Sequence, residues 1–98
     1  MEPIRPNDRP KLAARARVQE DVVTGKPALL YPEGVLMLNP TGDAIVALCD
    51  GEKTFEQIVG ELATRYSTPA SQISTEVNSY LDRLRSRNLV EIIAGNGG

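Results

Sequence analysis

The chain has 98 residues, of which 41% are hydrophobic and 24% are charged, and its formal net charge is −2. That length supports one domain, which buries roughly two-thirds of the surface of its unfolded chain. It contains no histidine and a single cysteine, Cys49, which excludes an internal disulfide, a Cys/His zinc cluster and catalysis by a histidine base.

The N-terminal segment predicts a cytoplasmic protein that begins with an extended arm. It lacks the apolar run of a signal peptide, and nowhere does the chain contain the continuous apolar stretch of a membrane span. Residues 1–12 hold three prolines among charged side chains, which favours an extended and mobile conformation. We therefore expect a folded domain over residues 13–94 and a disordered tail over residues 95–98.

Three short strands are predicted before the first helix. Residues 14–19 alternate charged and apolar side chains, the period of a half-buried strand. Residues 28–31 form the second strand. The turn Tyr31-Pro32-Glu33-Gly34 should lead into a third strand over residues 35–38, with proline fixing the first corner and Gly34 taking a positive φ.

The first two helices have clear start signals. Asn39 is suited to cap the first helix, with Pro40 at its first position and Gly51 as its C-terminal stop. Thr54 and Gln57 form a capping box at the start of the second helix. Both segments then show apolar residues at helical spacing.

The third helix is expected to be capped by Thr68 and to end near Asn88, and residues 89–93 resume an extended pattern. The chain order is then three strands, three helices and one short C-terminal strand. A short turn joins the second and third helices, which is typical of an α+β winged helix-turn-helix.

The groups that could carry chemistry have structural explanations. Cys49 lies on the apolar side of a helix and has no histidine partner, as is usual for an inert buried thiol. Asp43, Asp50 and Glu52 do not have the spacing of a calcium loop, and Asp43 complements the dipole of the first helix. We expect no metal, no cofactor and no enzymatic activity of the chain itself.

Arginines on the third helix leave three alternatives open. Arg83 and Arg87 share one helical face, whereas Arg85 points elsewhere. The shared face could be solvated, could receive acidic side chains of a peptide, or could contact phosphates.

Val35-Leu36-Met37-Leu38 requires cover on both faces of its strand, since four apolar residues follow one another. A two-sided core strand or a dimer contact explains this run. An edge strand that pairs with an incoming chain explains it equally well.

The chain resembles the PqqD family from about Arg15 to Val90. The similarity is carried by an ordered set of short motifs: Tyr31-Pro32-Glu33-Gly34, Leu38-Asn39 followed by Thr41, Leu48-Cys49-Asp50-Gly51, Ile58-Val59, and Leu81, Leu84 and Leu89-Val90. Two features depart from the expected pattern. Gly42 stands where alanine is more usual, and the early strand region lacks an aromatic residue.

The resemblance implies a peptide chaperone that acts in pyrroloquinoline quinone biosynthesis as a recognition element for ribosomally synthesised, modified peptides. Such a protein would bind the precursor peptide PqqA and present it to the radical S-adenosylmethionine enzyme PqqE. In related domains the leader adds as a strand to the third strand, beside the third helix. Carried over, the peptide-binding residues are Val35, Leu36, Met37, Leu38, Tyr80, Arg83, Leu84 and Arg87. The alternative is a winged-helix DNA-binding regulator, and the choice between monomer and homodimer stays open.

Overall fold

The structure, a computed structural model, describes residues 3–95 and has a mixed α+β architecture. In chain order the elements are β1 (Arg9–Leu12), β2 (Arg17–Glu20), β3 (Pro27–Tyr31), β4 (Gly34–Met37), α1 (Pro40–Ala47), α2 (Phe55–Tyr66), α3 (Ala70–Ser86) and β5 (Val90–Ile93). The predicted α+β class is confirmed, with β1 as an additional strand. Most of the predicted tail, residues 96–98, lies outside the described residues.

Residues 9–12 form a strand, which corrects the prediction that they belong to an extended arm. β1 pairs antiparallel with β5, with Arg9 opposite Ile93 and Leu12 opposite Val90. Pro10 is fully buried, and its carbonyl accepts the N–H of Gly51 at 2.9 Å. Because the partner strand lies at the other end of the chain, no local pattern could indicate the pairing.

The segment that precedes β1 completes the N-terminus of α2. The first N–H groups of a helix have no partner within it. Here the Phe55 N–H donates to the Asp8 carbonyl at 2.7 Å, and the Glu56 N–H donates to the Pro6 carbonyl at 3.0 Å. Ile4, in the same segment, is buried in the core. The domain therefore extends well upstream of residue 13.

The second sheet has the strand order β2-β3-β4 and is antiparallel throughout. Tyr31 pairs with Gly34, which confirms the two-residue turn. The positive φ expected at Gly34 is wrong: the glycines with positive φ in the described chain are Gly25 and Gly51. β2 begins later than predicted because residues 13–16 form a turn, with the Ala16 N–H donating to the Ala13 carbonyl.

The helix caps confirm two of the three predicted start signals. Asn39 caps α1 by accepting the Gly42 N–H at 2.6 Å, and Thr54 and Gln57 form the capping box of α2. α3 has no side-chain cap, since the Thr68 hydroxyl donates to the Tyr66 carbonyl instead. α1 ends at Ala47, and its C-cap is Leu48 rather than a glycine.

One hydrophobic core joins the three helices to both sheets. Its fully buried large side chains are Leu29, Ile45, Ile58, Leu62, Val77, Leu81, Leu84 and Leu89. Those on α2 and α3 follow the helical period, and this places the opposite face of each of these helices toward solvent. Over residues 3–95, none of the helices has the length and apolar character needed to cross a membrane.

Candidate peptide-binding site

β4 is an edge strand, since no other described strand pairs with its outer side. Its side chains alternate between the two faces of the sheet. Leu36 packs against the core, whereas Val35 and Met37 lie on the outer face with 58% and 47% of their surface exposed. The predicted need for cover on both faces is therefore met by the core on one face only.

The hydrogen-bond phase of β4 shows which backbone groups are available. The Leu38 N–H donates to the Pro27 carbonyl at 3.0 Å. In an antiparallel pair, hydrogen-bonded and non-hydrogen-bonded residue pairs alternate. Leu36 therefore belongs to the ladder with β3, and Val35 and Met37 do not. The N–H and C=O groups of Val35 and Met37 point away from β3.

Two of the predicted site residues are buried and do not face the edge. Leu38 keeps 4% of its surface exposed, and its N–H is bonded within the sheet. Leu84 is fully buried among the core residues of α3. It lies three positions from Leu81 on the same helical stripe, so helix packing rather than ligand contact explains it.

A cleft of about 420 Å³ opens between the start of α1 and the middle of α3. It is lined by Asn39, Thr41, Ile45, Thr75, Glu76, Ser79, Tyr80 and Arg83. Five of these eight residues carry a hydroxyl or an amide, and one carboxylate and one guanidinium add charge. Such groups can hold the polar side chains or the backbone of an extended peptide.

Tyr80 connects α3 to the first turn of α1. A Cβ atom at Gly42 would overlap the Tyr80 hydroxyl and ring, so the glycine at this position is explained by the close approach of tyrosine. Burial raises the pKa of Tyr80, and Arg83 partly opposes the shift. The Arg83 guanidinium lies 5.9 Å from the centroid of the Tyr80 ring, within reach of a cation–π interaction.

The three arginines of the last turns occupy different environments. Arg83 is exposed and lines the cleft. Arg85 pairs with Asp82 at 2.5 Å. Arg87 is the C-cap of α3 and is not among the residues lining the cleft. The predicted pair of peptide-facing arginines is thus reduced to Arg83 at the cleft itself.

A second hollow, of about 550 Å³, extends the cleft toward β4. It is lined by Lys26, Pro27, Met37, Leu38, Asn39, Pro40 and Asp43. Asn39 lines both spaces, so the hollow beside Met37 adjoins the α1–α3 cleft. Asn39, Thr41 and Ser79 were missed from sequence. The available signals were the helix cap at Asn39 and the motif Leu38-Asn39 followed by Thr41, which carries the family resemblance; no signal marked Ser79.

Cys49 and Asp50, two side chains that could carry chemistry, have structural roles instead. Cys49 is buried, its thiol donates to the Ile45 carbonyl at 3.2 Å, and burial raises its pKa to about 12. The Asp50 carboxylate accepts the N–H groups of Lys53 and Glu52, which hold its pKa below the ordinary value. Within residues 3–95, no cluster of His, Cys, Asp and Glu is arranged to hold a metal ion.

Comparison with known proteins confirms the family resemblance. The sequence model described as Coenzyme PQQ synthesis protein D (PqqD) matches residues 28–90. A PqqA binding protein of Rhizobium meliloti (strain 1021) is 32% identical over 83 residues, covering 85% of each chain. A PqqA binding protein of Methylococcus capsulatus is 34% identical over 92 residues, covering 93% of this chain and 97% of the other.

A solved structure is also similar. It is the solution NMR structure of the PqqD truncation of Methylobacterium extorquens PqqCD, described as a functional, stand-alone recognition element for ribosomally synthesised and modified peptides. The match has a TM-score of 0.72 and 29% sequence identity, and covers 84% of this chain and 87% of that one.

Proposed function

Because the chain belongs to the PqqD family, we propose that it is a non-enzymatic adaptor that binds the precursor peptide PqqA. The relatives named as PqqA binding proteins and the recognition element of similar fold support this function. The observation that carries the docking mode is the outward-facing backbone of Val35 and Met37, which lies next to the α1–α3 cleft.

The precursor would add to β4 as an extended strand. Each outward-facing residue of β4 offers one donor and one acceptor, so Val35 and Met37 together can form four backbone hydrogen bonds with the guest. Alternate guest side chains would then lie on the apolar outer face around these two residues. The others would turn toward the cleft lined by Tyr80 and Arg83.

Arg83 would supply the charge recognition at this site. It lines the cleft, and its guanidinium lies over the ring of Tyr80. A guanidinium positioned in this way can receive a carboxylate of the peptide through paired hydrogen bonds. The neighbouring α3 residues Glu76 and Asp82 are acidic, so the helix presents mixed charge to solvent, which favours a peptide over the uniform phosphates of DNA.

Presentation to PqqE would follow from binding. An adaptor that holds the peptide and the enzyme together raises the effective concentration of one for the other without providing a reactive group. In this scheme the radical chemistry belongs to PqqE, and the adaptor works beside it in the cytoplasm. Adding PqqE to a complex of the chain with PqqA should then give a ternary complex.

The test is a pair of proline substitutions on opposite edges of the same sheet. Met37→Pro removes one outward-facing donor of β4 and places a ring where the guest strand would lie, without disturbing the bonds to β3. On β2 the Asp21 N–H donates to the Lys26 carbonyl at 2.8 Å, so the backbone groups of Val18 and Glu20 face outward by the same alternation. Val18→Pro therefore makes the same chemical change at the other edge. Titration with fluorescently labelled PqqA compares the two variants with the unmodified chain.

We expect Met37→Pro to weaken PqqA binding at least tenfold, the equivalent of about 1.4 kcal/mol. Val18→Pro should bind as the unmodified chain does. Equal affinity of a folded Met37→Pro variant would overturn the docking mode. Leu36→Pro is not a substitute, since the N–H of Leu36 belongs to the ladder with β3.

A further inference from the structure

The most exposed large apolar side chains of residues 3–95 lie together, at the tip of the hairpin that joins β2 to β3. Val22 and Val23 keep 94% and 88% of their surface exposed, whereas Val35, the next most exposed, keeps 58%. Apolar residues scattered singly are normal on a protein surface. Two adjacent ones at a projecting tip form a continuous apolar surface that another molecule can cover.

The backbone of the tip is held by its own hydrogen bonds. The Asp21 N–H donates to the Lys26 carbonyl at 2.8 Å, and the Gly25 N–H donates to the Asp21 carbonyl at 2.7 Å. One oxygen of the Asp21 carboxylate accepts the Val23 and Thr24 N–H groups at 2.8 and 3.3 Å. Gly25 has a φ of 71°, which glycine adopts without strain. The tip is therefore preorganised, which lowers the entropic cost of binding through it.

Valine is an unusual residue for such a turn. Tight turns favour Gly, Pro, Asn, Asp and Ser, because each supplies a turn conformation or a local hydrogen bond. Asp21 and Gly25 meet these needs here, and the side chains of Val22 and Val23 take no part in holding the turn. A β-branched side chain has few rotamers to lose and buries mainly apolar surface on binding. The two valines are therefore suited to fill an apolar socket of another protein.

Carboxylates lie next to the valines. Glu20 and Asp21 directly precede them, and a Glu20 carboxylate oxygen lies 3.7 Å from the position of a Cβ atom at Gly25. Within residues 3–95, neither carboxylate forms an ion pair. A socket with basic side chains on its rim would complement this charge. The same carboxylates disfavour a membrane, whose anionic surface attracts basic residues.

The tip lies at the end of the sheet where a guest paired with β4 would leave it. β3 begins and β4 ends at this position, since the Pro27 carbonyl accepts the Leu38 N–H at 3.0 Å. Lys26, at the base of the tip, lines the hollow of about 550 Å³ together with Met37. A protein that acts on a peptide bound at β4 would therefore meet the tip at the same end.

We propose that Val22 and Val23 anchor this chain on the enzyme that acts on the bound peptide, in an apolar socket with basic side chains on its rim. The inference rests on the proposed function, which supplies the peptide and the enzyme. A standard interface buries roughly 800 Å² on each partner, more than two valines can provide. The tip is thus the buried anchor of a larger contact, to which the emerging peptide and the surrounding surface add.

The double variant Val22→Thr/Val23→Thr tests the anchor. Threonine keeps the branched shape and replaces a methyl group by a hydroxyl, and at such exposure the change leaves folding intact. Val18→Thr makes the same chemical change on β2 and is the matched control. Each protein is saturated with PqqA and titrated with PqqE in biolayer interferometry. We expect the double variant to bind PqqE at least fivefold more weakly, and Val18→Thr to bind within twofold of the unmodified chain.

A folded double variant that binds PqqE as the unmodified chain does would overturn the proposal, and so would an equal loss in Val18→Thr. PqqA affinity, measured without PqqE, separates this result from the proposed function and should be the same in all three proteins. A chain that binds PqqA and binds PqqE without the valines refutes the docking surface alone. A chain that binds neither refutes both.

A pair of charge reversals tests the basic rim. Glu20→Lys should weaken PqqE binding at least threefold, whereas Glu91→Lys, the same change at an exposed position of β5, should leave it within twofold. Equal effects would contradict a basic rim. Flotation with phosphatidylcholine vesicles and sedimentation of the chain alone test the other occupants. Binding to lipid or to a second copy that is lost in Val22→Thr/Val23→Thr would overturn the assignment to the enzyme.

Discussion

The two sheets of this small domain differ in how far they are enclosed. The β1–β5 ribbon is bonded to the α1–α2 connection through Pro10 and Leu12, and its N-terminal approach caps α2. The three-stranded sheet has open backbone on both of its edges. The ribbon and the helices are therefore closed by internal hydrogen bonds, whereas the hairpin sheet keeps edge backbone groups to which another chain could pair.

Within the open sheet, neighbouring elements decide what each edge can bind. β4 continues into the cleft between α1 and α3, so a guest strand there gains side-chain contacts as well as backbone bonds. β2 is exposed at every residue, so a guest strand there would meet fewer side chains. We therefore expect a peptide that is selected by its side chains to bind at the β4 edge rather than at the β2 edge.

Deleting residues 1–8 should have the largest effect of all the changes considered, on the stability of the enclosed part of the domain. The deletion removes the buried Ile4 and the two carbonyls that accept the first N–H groups of α2. Lost burial and unsatisfied amides together predict a fall of roughly 3–5 kcal/mol in the free energy of unfolding. Urea denaturation measures it. A stability equal to that of the full chain would show that the segment is a mobile arm after all.

Proline substitution should distinguish the inside of the ladder from its outside. Leu36→Pro removes a bond between β3 and β4 and should lower the free energy of unfolding by about 3 kcal/mol. Met37→Pro, one residue further, should change it by less than about 1 kcal/mol, because its donor faces away from β3. Thermal unfolding of the two variants provides the measurement. The reverse order would mean that the hydrogen-bond phase of β4 is shifted by one residue.

The thiol of Cys49 reports how closed the core is. Its pKa is raised from 9.0 to about 12 in the folded chain, so between these pH values only the unfolded chain loses the proton. The contribution of the thiol to the free energy of unfolding is complete below pH 9. From pH 9 to about pH 12 the free energy of unfolding should fall by about 1.4 kcal/mol per pH unit. Urea denaturation of Cys49→Ala over the same pH range subtracts the other titrating groups. Identical pH slopes for the two proteins would contradict a closed core.

Charge reversal at Arg83 should have the smallest effect of the set and be specific to binding. Arg83→Glu places a repelling charge on the rim of the cleft and should weaken PqqA binding about tenfold. Arg65→Glu makes the same change in net charge on the exposed part of α2, where Arg65 lies 3.9 Å from Glu61, and should leave affinity within twofold. Isothermal titration of both variants measures the effect, and equal losses would indicate only a long-range charge effect.

Local signals in the sequence predicted the local elements well. Asn39-Pro40 and the Thr54–Gln57 capping box identified two helix starts because their hydrogen bonds span only a few residues. β1 was missed because its partner lies at the far end of the chain. Leu84 was placed in the peptide site because helical period alone does not distinguish a core stripe from a ligand-facing stripe. The pairing of Gly42 with Tyr80 likewise depends on tertiary packing.

Amide hydrogen exchange, measured residue by residue with and without PqqA, tests the central claim most directly. In the free chain, the Leu36 N–H should already be protected, and the N–H groups of Val35 and Met37 should exchange freely. Added peptide should protect Val35 and Met37 and leave their counterparts on β2, Val18 and Glu20, unchanged. Protection that appears elsewhere while Val35 and Met37 still exchange freely would contradict the account.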